Sequence, residues 1–312
     1  MSEDRKLPNR RQFLSAAGLM GAGAVLASCA PAMGATPTKT NYDVKIGNFA
    51  LNLEYLEAAF YLAAVGRLND LKALGGGSAQ IILPTGVTGT TPIAFADPAV
   101  KQYAEEIAQD ELNHVKFLRG VLGASAVDRP VIDVGPAFAA AATATARNAG
   151  LIGATANLTP AFNPYLNDLY FLHGAFIFED VGVTAYKGAA RLIVDDKPNG
   201  ILDSAAGILA VEAYHAGEIR TLLYANKDKD TGYGVKVEAF VNAISALRAA
   251  LGGGKDQGIT VNGKANIVVA DNNSVAFGRT PREVLNIVYG AVGASKGLFF
   301  PNGLNGDFTG LV

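Results

Sequence analysis

Eight side chains fall into one pattern that occurs twice: Glu54 with Tyr61 and Glu111 with His114, then Glu179 with Tyr186 and Glu212 with His215. Each half reads Glu-x6-Tyr followed by Glu-x-x-His. On a helix, a seven-residue step returns to nearly the same face, and a three-residue step stacks two side chains on adjacent turns. Four helices can therefore aim four carboxylates and two imidazoles at one point. That donor set suits a pair of transition-metal ions.

A carboxylate has two oxygens and can bridge two cations, whereas an imidazole binds one. The simplest assignment makes Glu111 and Glu212 the bridges, gives His114 and His215 one metal each, and leaves Glu54 and Glu179 as terminal ligands. Four carboxylates balance two divalent ions; without metal they repel and raise one another's pKa values. Oxygen and imidazole donors accept iron and manganese, as well as zinc, so the spacing does not choose among them. Glu54 and Glu179 sit in strongly apolar stretches, where unpartnered acids are rare. Tyr61 and Tyr186 are the candidate catalytic residues, as hydrogen-bond partners of a ligand or electron carriers; core tyrosines with satisfied hydroxyls are the alternative. Glu57, Asp110 and Glu218 lie near the site in helical projection, where they could orient its ligands, and solvent-facing charge is the more expected state of each. His173 is off the Glu179 face and is not counted as a ligand.

The elements that must hold these residues can be read from periodicity and punctuation. A helix is predicted from Asn48 to about Ala73, ended by Gly75-Gly76-Gly77. A Gly/Thr/Pro-rich insertion follows, in which Gln80 to Leu83 can be extended. Asp97-Pro98 opens a second helix to about Leu122. A long connection holds a short Ala-rich helix from Ala137 to Arg147. Such a length fits a crossover between parallel helices of a bundle. Asn163-Pro164 opens a third helix to about Val194, and Ile201 to Ala225 forms the fourth. Glu179 and Glu212 are 33 residues apart and Glu54 and Glu111 are 57 apart. The excess matches the insertion, which supports an internal duplication. Beyond the bundle, Val235 to Leu251 reads as a helix, Lys255 to Ala270 as extended or irregular, and Thr280-Pro281-Arg282-Glu283 opens a last helix ending near Gly290. Phe299 and Phe300 are expected to pack on the bundle.

The chain of 312 residues is 50% hydrophobic with a formal net charge of -2. It can bury a large core and has no electrostatic footprint for nucleic acid. Arg10-Arg11 before Phe13-Leu14, with an apolar run from Ala16 to Ala27, resembles a twin-arginine export signal. Leu26-Ala27-Ser28-Cys29 resembles a lipobox, which makes Cys29 the attachment point of a membrane lipid anchor. An uncleaved membrane anchor, or cleavage a few residues after Cys29, are the competing readings. Cys29 is the only cysteine, so no internal disulfide forms. The expected organisation is a signal over 1–29, a tether over 30–43, a helical bundle over 44–225 and an extension packed on it over 226–312. Residence in the periplasm or cell envelope follows from the signal.

The twinned pattern resembles the ferritin-like superfamily of bacterioferritins, rubrerythrins and manganese catalases, over about Asn48 to Ala225. The runs from Asn48 to Ala58, Thr280 to Gly290 and Phe299 to Gly306 are similar to the desiccation-related ferritin-like proteins of bacteria and resurrection plants. The resemblance implies an all-α fold: a ferritin-like four-helix bundle with one long crossover connection and a C-terminal helical and irregular extension. It also implies a dinuclear iron or manganese centre that reacts with oxygen or peroxide and protects against drying or oxidative stress. Two other functions fit the same residues: a structural or binding module held together by its metals, and an iron-handling protein without a storage cage. The insertion, lipid attachment and C-terminal extension depart from cage-forming ferritins; a smaller homo-oligomer remains compatible with the sequence.

Overall fold

The computed structural model describes residues 39–312. The export and lipid-attachment features at Arg10, Arg11 and Cys29 lie outside them, as does most of the 30–43 tether. Among the described residues no helix is long and apolar enough to cross a membrane.

Helix α1 (Asp43–Ala64) is buried on almost every side from Leu51 onward, as a helix with apolar residues around its whole circumference must be. It begins five residues earlier than expected and ends nine residues sooner. Gly66, with φ of 76°, turns the chain where any Cβ would collide with Pro92, and Val65 bridges to Pro92. The remainder of the expected helix is a separate short one, α2 (Leu68–Ala73). Helix α3 (Pro98–Leu122) has the expected bounds: the Asp97 carboxylate accepts from Ala99 N, and Gly123 ends the helix at φ 54°.

The insertion and the crossover are joined, which periodicity did not foretell. Strand β1 (Ile81–Ile82) pairs in parallel with β2 (Ile132–Asp133). The Asp133 carboxylate then accepts from Gly135 N and Ala137 N at the start of α4 (Pro136–Asn148). Helix α5 (Asp168–Ala190) starts later than Asn163-Pro164, because Asn167 supplies the cap by accepting from Tyr170 N. Asn163 instead caps a preceding turn at Tyr165 N. The helix also stops at Ala190 and not at Val194, whose backbone N–H donates to Asp43. Helix α6 spans Ile201–Ala225, as expected.

Contacts set the helix directions. Glu54 meets Tyr186 and Tyr61 meets Glu179, so α1 and α5 are antiparallel. Asn48 reaches Ser125 and Tyr55 reaches Arg119, so α1 and α3 are antiparallel too. Helices α3 and α5 therefore run the same way, and the chain must travel the bundle's length between them.

The C-terminal extension comprises α7 (Val237–Leu251), a hairpin of β3 (Thr260–Val261) and β4 (Lys264–Ala265), and α8 (Pro281–Tyr289). Helix α8 opens with a capping box between Thr280 and Glu283 and ends at Gly290, φ 76°. Arg220, Arg248 and Arg279, all buried, enclose Asp180 and Asp256 in one ionic network that ties α5, α6 and α7 to the loop before α8. At Gly188 the backbone of Arg279 comes so close that no side chain fits, and Arg279 N donates to Thr184 O. Phe299 and Phe300 are buried, with Phe299 packed edge-on against Phe138 and Phe178.

Candidate metal centre

All six proposed ligands converge in the middle of the bundle. Donor atoms of Glu54, Glu111, His114 and Glu212 lie within 4.8 Å of one another, as do those of Glu179, Glu212 and His215. Glu212 belongs to both groups. Glu111 turns one oxygen toward each histidine: Oε2 is 3.5 Å from His114 Nδ1 and Oε1 is 3.2 Å from His215 Nδ1. Glu54 Oε2 lies 3.2 Å from His114 Nδ1, and Glu179 Oε2 lies 3.6 Å from His215 Nδ1. The imidazole centres are 6.4 Å apart. Each half thus pairs one imidazole with one outer carboxylate, and two carboxylates lie between the halves.

The donor chemistry fits a pair of cations. Both oxygens of Glu111, both of Glu212, Glu179 Oε2 and His215 Nδ1 are buried and have no hydrogen-bond partner. Buried polar atoms are seldom left so, and a cluster of orphaned acceptors implies positive charge among them. Burial, opposed by His114, pushes the Glu54 carboxyl up to about 7, and burial, opposed by His215, pushes Glu179 up to about 8. Burial and the neighbouring carboxylates raise Glu212 well above the ordinary range. Burial would raise Glu111 as well, but the positive charge of the His114 and His215 imidazoles facing its two oxygens wins and holds it low. The imidazoles take the protons: against burial, Glu54 and Glu111 lift His114 to about 11, and Asp110 and Glu111 lift His215 to about 10. Protons occupy the place that metal charge would fill.

The two tyrosines bond across the halves. Tyr61 donates to Glu179, and Tyr186 donates to Glu54. Burial and the adjacent carboxylates push both phenols well above the usual range, so they stay protonated donors.

Two of the three charges expected to face solvent do otherwise. Glu57 is buried beside Glu54, Glu111 and Glu179, and burial first, then those neighbours, raise its carboxyl well above normal. Its counterpart in the second half is Gly182, three residues after Glu179 as Glu57 is three after Glu54. A Cβ there would strike Glu212 Oε2 and lie 3.5 Å from Glu57 Oε1, so the glycine makes room for both carboxylates. The three-residue step from Glu54 was the available signal for Glu57; nothing in the sequence marked Gly182. Asp110, on the rim, accepts from His215 Nε2 at 3.2 Å and so orients Nδ1 inward. Glu218 is half-buried in the open cleft outside His215. His173 stays out of the cluster: its Nδ1 donates to Leu169 O at 2.6 Å, and burial lowers its pKa to about 4.

The four-helix bundle, with α3 and α5 running the same way, and its paired carboxylate and histidine cluster define a ferritin-like protein. Residues 42–225 match the ferritin-like domain family, and the chain belongs to it. It is 34% identical over 287 residues to the desiccation-related protein PCC13-62 of Craterostigma plantagineum, covering 86% of this chain and 85% of that one. It is 29% identical over 282 residues to the ferritin-like catalase Nec2 of Nesocodon mauritianus, covering 85% and 84%. No solved structure matches significantly. Both similarities run well beyond the bundle, into the C-terminal extension.

Proposed function

We propose that the protein is an exported di-metal oxidoreductase of the envelope, with iron or manganese in the bundle and peroxide or dioxygen as its substrate, acting in protection against drying and oxidative stress. The observation that carries this reading is Glu111, whose two buried, unpartnered oxygens each face a different histidine. A carboxylate so placed would be shared by two cations, one on each histidine's side. Similarity to a protein named as a catalase supports peroxide as the oxidant, and similarity to one named for desiccation supports the stress role.

In this reading Glu111 and Glu212 would be shared by the two ions, Glu54 and His114 would hold one, and Glu179 and His215 would hold the other. The bound pair supplies one-electron redox steps and open coordination positions. The protein does the rest. Tyr61 and Tyr186 fix the outer carboxylates by hydrogen bonds from the opposite half. Glu57, whose carboxyl is raised by burial in the metal-free site, is placed to hold a proton beside the centre. Asp110 sets the His215 tautomer by accepting its Nε2 proton.

The decisive experiment is elemental analysis of purified protein, wild type beside a Glu111→Ala/Glu212→Ala variant, followed by hydrogen peroxide turnover. About two iron or manganese ions per chain, lost in the variant together with turnover, are expected for this ligand set. Redox metal absent from both proteins would overturn the reading.

A further inference from the structure

A polar centre that handles peroxide has no need of the apolar cavity that opens onto it. The cavity, about 80 Å³, lies among the first half of α1, the last turns of α3, the second half of α5, the start of α6 and α8, with Arg279 on its border, its guanidinium taken by Asp256 and Thr184. Its wall is almost entirely apolar, and small residues at Ala50, Ala185 and Ala205 line it. Its inner end is bounded by Glu54, Glu57 and Tyr186. At its outer end Phe117 and Val121, 42% and 50% exposed, carry the apolar surface out to solvent. Asp43 also borders it, but its carboxylate is taken by the backbone N–H groups of Val194 and Asp195.

Hydrogen peroxide and hydrated cations gain nothing from such a passage, since its walls offer no hydrogen bonds to replace water. Apolar cavities stay dry and take up apolar ligands. A passage for dioxygen alone would not require an exposed aromatic and aliphatic rim. The rim indicates an occupant longer than the cavity, apolar along its length. Its inner end must also be apolar, because a carboxylate there would meet Glu54 and Glu57.

We propose that this cavity binds the alkyl chain of a free fatty acid, methyl end inward against Glu54 and Tyr186, with the carboxylate outside Phe117 and Val121. Binding stands independently of the metal; that the chain lies beside a reactive centre rests on the dinuclear reading. The site thus gives the centre a class of organic substrate, a hydrophobic chain, in addition to its oxidant.

The test titrates full-length, metal-replete protein with cis-parinaric acid, read by fluorescence, with decanoate as competitor. Saturable binding of one equivalent, displaced by decanoate, is expected. Ala50→Trp and Ala205→Phe, which fill the cavity, should each weaken binding about tenfold or more, the loss of burying roughly two methylenes. Phe117→Ser, a surface change that spares the core, should weaken it as well and serves if the filled variants do not fold. In manganese-loaded protein the decanoate methyl resonance should broaden more than the carbon beside the carboxylate. Absence of saturable binding, unchanged binding in the filled and rim variants, or greater broadening at the carboxylate end overturns the proposal. So does displacement of the probe by phosphatidylcholine vesicles but not decanoate, which assigns the surface to membrane lipid, or a stable dimer that protects Phe117 and Val121, which assigns it to a second copy. Elemental analysis of the same samples separates the two claims: fatty acid bound without metal sinks only the dinuclear reading, and metal without fatty acid sinks only this one.

Discussion

The Tyr61 hydroxyl donates to Glu179, a carboxylate on the opposite half of the duplicated pattern. Tyr186 returns the bond to Glu54, so each half orients the outer carboxylate of the other. The reciprocity follows from α1 and α5 running antiparallel with both seven-residue steps in register. A carboxylate held this way keeps one oxygen engaged and presents the other to the centre.

Tyr61→Phe should therefore leave the fold intact and weaken metal binding about 10–100-fold, the usual effect of losing a hydrogen bond that orients a ligand. Competition titration with a metal indicator measures it. Unchanged affinity would return Tyr61 and Tyr186 to the role of core tyrosines.

Gly182→Ala should expel metal while helices remain, because the added methyl strikes Glu212 Oε2. Gly207→Ala is the matched control on α6: nothing lies within 4 Å of its Cβ position, and it should stabilise the protein by about 0.5–1 kcal/mol. Metal content and thermal melts of both variants decide the point.

Glu57→Gln should retain its metal, since Glu57 lies outside both groups of closely spaced donor atoms, yet lose about a hundredfold in peroxide turnover if its proton is used. Turnover at full metal occupancy, compared with wild type, is the measurement. An unchanged rate would reduce Glu57 to a neutral filler of the space opposite Gly182.

Metal-free protein should be most stable in mild acid. Glu54 and Glu179 ionise near 4.5 when unfolded but near 7 and 8 when folded, so their contribution is lost as pH rises through that window. His114 and His215 add stability that is full below 6.5 and lost as pH rises through about 11 and 10. Glu111, held low, acts oppositely and loses its contribution as pH falls below 4.5. Metal displaces these protons, so its affinity should rise with pH. Melts of chelator-stripped and metal-replete protein at acid, neutral and alkaline pH should diverge accordingly.

Arg248→Ala should cost about 1–3 kcal/mol by taking one buried hydrogen-bond partner from each of Asp180 and Asp256, which stay paired with Arg220 and Arg279. The same change removes the hydrogen bond to Phe176 O, on the helix that carries Glu179. Urea unfolding should show a lower midpoint with little change in slope, because the extension and the bundle share one core.

Local spacing determined much of this protein. The three- and seven-residue steps put each Glu, His and Tyr on its helical face, because that geometry is internal to one helix. Asp97 and Gly123 marked the ends of α3, and Thr280, Glu283 and Gly290 those of α8, because caps are satisfied within a few residues. Parallel α3 and α5 were legible from the length of the chain between them. Tertiary structure decided what depends on the neighbour across a gap: that Tyr61 serves Glu179 and not Glu54, that Glu57 is inside, that Gly182 yields space to Glu212, and that Asp110 orients His215. The break at Gly66 depended on Pro92, and the pairing of Ile81 with Ile132 on a distant partner. Periodicity places a side chain on a face; only packing sets which other face it meets, how much water is removed, and hence which charges need a metal or a proton.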